Sequence, residues 1–109
     1  MSTINIDELS KVELRVATVI TAEKVPDTDK LLRLEVDLGD EKRQIVAGLA
    51  LSYPETDKLI GKQIIIVANL EPRVLRGLES KGMVLAATGE GGPVVLTVDG
   101  EVPAGVGVR

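Results

Sequence analysis

The chain has 109 residues, the length of one ordinary domain, and folding should bury about 60 to 70 per cent of its unfolded surface, enough for a single core. It contains no His and no Cys, which removes the usual general base, the thiol nucleophile, disulfide staples and the common zinc ligands together. Thirteen Lys and Arg against 17 Asp and Glu leave a net charge of −4, which argues against an indiscriminate polyanion binder. No apolar run approaches the roughly 20 residues of a membrane span, and Met1 to Asp7 lacks the regions of a secretory signal, so a soluble, cytoplasmic protein is expected.

Asn5 stands three positions ahead of Glu8, and Ile6, Leu9 and Val12 repeat at helical spacing, which predicts a short capped opening helix. From Leu14 the pattern alternates, with Leu14, Val16, Thr18 and Ile20 on one face and Arg15, Ala17, Val19 and Thr21 on the other, in a long strand ending at Pro26. After the polar loop Asp27 to Lys30, the residues Leu32, Leu34, Val36 and Leu38 alternate with Arg33, Glu35 and Asp37, and Arg43 to Leu49 returns as the second arm of a hairpin. Ser52 to Glu55 has capping-box spacing and Gly61 follows Leu59 and Ile60, predicting a short helix.

Lys62 to Leu70 reads as a buried central strand, Met83 to Thr88 as another, and Val94 to Val98 as a last one after a Gly-rich loop. The Gly89 to Gly92 segment lacks the Lys and Ser or Thr of a phosphate loop and reads as a hairpin connection. Five or six short strands with turn signals between them predict a small closed or nearly closed barrel, with a sandwich as the alternative. Branched aliphatics fill the core, since Phe and Trp are absent and Tyr53 is the sole aromatic.

Charge is unevenly spread. Residues 1 to 57 carry 7 basic and 12 acidic side chains, residues 58 to 83 carry 5 and 2, and residues 84 to 109 carry 1 and 3. The positive centre includes Arg73, Arg76 and Lys81 on an irregular connection between two apolar runs, the mark of a binding surface more than of a catalytic one. Asp27 and Asp29 lack a third ligand and read as solvated loop residues, with no metal site and no catalytic pair.

Five ordered motifs carry a family resemblance. Leu14-Arg15-Val16-Ala17-Thr18-Val19, Asp29 to Gly39, Leu59-Ile60-Gly61-Lys62, Ala68-Asn69-Leu70-Glu71-Pro72-Arg73 and Ser80 to Ala87 resemble the tRNA-binding OB-fold domain of bacterial methionyl-tRNA synthetases, found also as a beta subunit or free protein. The resemblance implies an all-β, five-stranded OB barrel over residues 14–98 with a short helix between strands 3 and 4. An N-terminal helical extension (1–13) and a C-terminal extension (99–109) would pair two copies into a homodimer. It also implies a non-catalytic module, without cofactor, that binds tRNA by shape and raises the affinity of a synthetase chain for it.

Carried over by position, the expected RNA-facing residues are Lys30, Arg33, Asn69, Arg73, Arg76, Ser80 and Met83, with Lys81 adding charge for phosphates. Many relatives have Ser in place of Ala47 and more basic residues in place of Glu71 and Val74, which implies lower affinity here. Asn69 has two readings, RNA contact or a tie for loop backbone, and so has Ser80; Met83 is either an adaptable contact for an exposed base or a core residue. Tyr53, beside Pro54, is expected to cover the core, so recognition rests on backbone and shape and not on stacked bases.

The alternative function is a structural dimerisation module with little RNA binding, burying Ile6, Leu9 and Val12 with Val102, Val106 and Val108 across a two-fold axis. A protein-binding, chaperone-like barrel is the third reading.

Overall fold

The computed structural model describes residues 2–109. Helix α1 (Ile6–Ser10) opens the chain, followed by β1 (Leu14–Lys24), β2 (Leu32–Asp37) and β3 (Lys42–Ala47). A single 3-10 turn (Thr56–Leu59) precedes β4 (Gln63–Val67), β5 (Arg73–Leu75), β6 (Leu78–Ser80), β7 (Met83–Val84), β8 (Ala86–Gly89), β9 (Gly92–Val95) and β10 (Gly107–Val108).

The main sheet runs β3-β2-β1-β4-β7, antiparallel throughout, with β10 added beside the start of β1. It curls until its ends meet. The free edge of β3 receives the segment 79–82: the Lys81 N–H donates to the Gln44 carbonyl at 2.9 Å, and the Gln44 amide donates to the Glu79 carbonyl at 2.8 Å. The result is the expected OB-type barrel.

Alternation selects the interior. Leu32, Leu34 and Val36 point inward with Ile45, Ile64 and Ile66, all essentially inaccessible, and Leu59 of the 3-10 turn closes one end. Each such side chain contributes about 1.5–3 kcal/mol of burial free energy. In β1 the register to β2 jumps between Val19 and Thr21, so Ile20 is the extra residue of a bulge. The inward face therefore runs Ala17, Val19 and then Ala22, not Thr21 as strict alternation requires.

The capping box of α1 forms as expected: the Glu8 N–H donates to Asn5 Oδ1 at 2.9 Å and the Asn5 N–H to Glu8 Oε1 at 3.4 Å. The box expected at Ser52 does not form, because the turn begins only at Thr56 and the Ser52 hydroxyl finds no partner among the described residues. The run Met83 to Thr88 is split where Leu85 donates to Ile65, ending β7 and starting β8. Glu90 and Gly91 connect β8 and β9 as the expected hairpin.

The C-terminal segment is clamped by two side chains. Arg15 donates to the Gly105 and Leu38 carbonyls at 2.9 and 3.1 Å and to the Asp40 carboxylate at 3.2 Å. The Gln63 amide both donates to and accepts from the backbone of Val102, at 2.6 and 3.1 Å. Gly105 has φ +90°, and a Cβ there would overlap the Leu38 carbonyl oxygen, so only glycine fits.

Candidate nucleic-acid interface

The basic stretch is not irregular. Arg73–Leu75 and Leu78–Ser80 pair as a hairpin, with registers Arg73↔Ser80, Val74↔Glu79 and Leu75↔Leu78. Its two-residue turn is Arg76-Gly77, with φ +51° and +79°. Two consecutive positive φ angles define the tight turn whose twist suits a hairpin, and its first position ordinarily goes to Asn, Asp or Gly. An arginine there holds left-handed backbone at a cost of about 1–2 kcal/mol and presents its side chain at the exposed tip.

Ser80 anchors this hairpin. Its side chain is buried, its hydroxyl accepts the Val46 N–H at 3.0 Å and donates to the Gly82 carbonyl at 3.1 Å. Of the two readings of Ser80, RNA contact or a tie for loop backbone, these bonds fit the tie. Val46 lies opposite Arg33, and Arg33 lies opposite Glu23. One row thus crosses five strands: Glu23, Arg33, Val46, Ser80, Arg73. Two cations expected from distant parts of the chain occupy that row.

Lys30 is exposed just ahead of β2, its carbonyl accepting the Ala50 N–H at 2.9 Å. Lys30, Arg73 and Arg76 have no carboxylate within ion-pair distance among the described residues, whereas Arg33 pairs with Glu23 and Lys81 with Glu79, the latter at 3.6 Å. Met83 is 43% exposed in β7, so the core reading is excluded. Exposed Leu70 and Val74 add apolar surface to the same part of the chain.

The Asn69 amide bonds backbone through both its oxygen and its nitrogen. It accepts the Glu13 N–H at 2.8 Å and donates to the Lys11 carbonyl at 2.7 Å, tying the end of the opening segment to the end of β4. The tie for backbone is the role its geometry fills. Tyr53 packs on the core and its hydroxyl accepts the Val95 N–H at 3.0 Å, so it covers the interior as expected.

Ile6, Leu9 and Val12 are exposed, and α1 buries no residue. With Val108 they line one groove of about 740 Å³. Val102 and Val106 are half-buried and lie outside that groove, where their backbones bond Gln63 and Val16.

Glu23 and Gln44 join the face without a signal in sequence. Glu23 is one of many surface carboxylates, and only the cross-strand register reveals its partner. Gln44 has no signal in sequence, because its value lies in reaching the Glu79 carbonyl from the free edge of β3. Among the described residues no helix is long and apolar enough to cross a membrane.

Residues 14–107 match the family model described as "Putative tRNA binding domain". The methionine–tRNA ligase of Thermotoga maritima is 56% identical over 105 residues, 96% of this chain and 16% of the ligase. The chain therefore spans only about a sixth of that relative's length. The crystal structure of a MetRS-related protein from Pyrococcus horikoshii superimposes with a TM-score of 0.91 at 40% identity, covering 100% of both chains. The chaperone CsaA of Bacillus anthracis superimposes with a TM-score of 0.85 at 30% identity, covering 99% of this chain and 100% of that one. The matched family is a binding domain and not an enzyme, and the chain belongs to this tRNA-binding domain family.

Proposed function

We propose that this chain binds folded tRNA through the β5–β6 hairpin and the adjoining face of β2, dimerises, and raises the hold of a methionyl-tRNA synthetase chain on its tRNA in the cytoplasm. The observation that carries the reading is a rigidly anchored hairpin whose two arginines, Arg73 and Arg76, lack carboxylate partners among the described residues in a chain of net charge −4. Unpaired cations on a fixed frame meet phosphates of a folded RNA without reorganisation. The scarcity of aromatics fits recognition of backbone and shape. A gel shift with unfractionated tRNA at low salt tests it, and no complex at any chain concentration reached would refute it.

Dimerisation draws support from α1, whose Ile6, Leu9 and Val12 face outward beside Val108. Burying such a stripe is the ordinary reason for its existence. A protein-binding reading rests on the likeness to CsaA, described as a chaperone, and on exposed Leu70, Val74 and Met83. Under that reading an unfolded peptide displaces bound tRNA in the same gel shift, and under the first it does not.

A further inference from the structure

Glu23 and Glu79 form ion pairs with two of the five cations on the candidate face, Arg33 and Lys81, and leave Lys30, Arg73 and Arg76 uncovered. One acid comes from the barrel and the other from the hairpin. Glu23 lies directly opposite Arg33 across β1 and β2, and Glu79 stands two residues from Lys81 at the end of the hairpin. We propose that Glu23 and Glu79 are specificity determinants, which suppress binding of arbitrary polyanions more than binding of folded tRNA. This rests on the tRNA-binding reading given above.

A phosphate reaching Arg33 must displace the Glu23 carboxylate, and one reaching Lys81 must displace Glu79. A flexible strand offers phosphates in every register and binds in proportion to the summed accessible charge, so two covered cations of five weaken it throughout. A rigid RNA whose phosphates meet Lys30, Arg73 and Arg76 draws most of its affinity from groups that have nothing to release. Discrimination then comes from repulsion of the wrong ligand as well as attraction of the right one.

Glu35 supplies the control. It shares the outward face of β2 with Arg33, is exposed, and pairs with no cation among the described residues. Replacing it removes the same charge from the same face without uncovering an arginine or lysine.

The test compares the full chain with Glu23→Gln, Glu79→Gln and Glu35→Gln by fluorescence anisotropy, against unfractionated tRNA and against polyuridylate. Glu23→Gln and Glu79→Gln are each expected to tighten polyuridylate binding about two- to fivefold, the range set by one exposed ion pair, and tRNA binding by less than about twofold. Glu35→Gln is expected to change the ratio of the two affinities by less than either. Equal gains for both ligands, no gain for either, or a Glu35→Gln effect as large as the others would overturn the proposal while leaving tRNA binding intact. A parent chain that binds no tRNA at low salt would overturn the underlying reading and the proposal together.

Discussion

The Ser80 hydroxyl accepts the N–H of Val46 at 3.0 Å, joining the basic hairpin to the barrel at the position opposite Arg33. Because Ser80 is also opposite Arg73, this bond, together with those of Gln44 to Lys81 and Glu79, fixes where Arg73 stands relative to Arg33. Ser80→Ala should leave the buried Val46 N–H unpaired and cost about 1–3 kcal/mol in urea unfolding. It should weaken tRNA binding without changing the slope of log K against log salt, since no charge is removed. An unchanged affinity would show that the hairpin needs no such anchor.

Arg76 occupies left-handed backbone that Asn tolerates better. Arg76→Asn should raise stability by up to about 1 kcal/mol and at the same time lower tRNA affinity, with a salt slope smaller by about one unit. Stability by denaturant titration and binding by gel shift would move in opposite directions. A variant that gains stability and binds as well as the parent would remove Arg76 from the interface.

The Arg15 guanidinium holds the Asp40 carboxyl below its ordinary value of 3.8, chiefly through their hydrogen bond. A carboxyl depressed in the folded state stabilises in full above that ordinary value, and the stabilisation is lost as pH falls through the lower folded one. Asp40→Asn should therefore lower the melting temperature slightly at pH 7, and the difference from the parent should shrink below pH 4. A gap that stays constant down to strongly acidic pH would mean that the pair contributes nothing of electrostatic origin.

The exposed stripe of α1 gives a third kind of test. Light scattering at micromolar concentration should return the mass of a dimer for the parent, and of a monomer for Leu9→Asp, which places a charge in the groove lined by Ile6, Val12 and Val108. A monomeric parent would refute dimerisation at once.

Much of this barrel was legible in sequence because its strands obey the period-two rule: Leu32 to Leu38 alternates cleanly and folds as written. What escaped were features that depend on partners. The bulge at Ile20 is imposed by pairing with β2, and β10 depends on distant partners: Arg15 and Gln63 side chains and the backbone of Val16 hold the C-terminal segment against the sheet. The hairpin at Arg76-Gly77 hid behind an arginine where the usual signal is Asn or Asp. Lys30, Arg33, Arg73, Arg76, Lys81 and Met83 are all exposed, as a binding surface requires, whereas Ser80 and Asn69 are spent on the frame. A hydroxyl or amide in sequence carries no mark of which way it will turn, so hydrogen-bond partners and not burial separate the two classes: Ser80 is buried, Asn69 is exposed, and both bond backbone.

If Arg73 and Arg76 meet phosphates of a folded RNA, their loss must show in the salt dependence of affinity for unfractionated tRNA, followed by gel shift from low to high salt in the parent and in the double variant Arg73→Ala/Arg76→Ala. Log K should fall steeply with log salt in the parent, and the slope should be smaller by about two units in the variant, with weaker binding at every salt concentration. Equal slopes and equal affinities in the two proteins would remove both arginines from the interface.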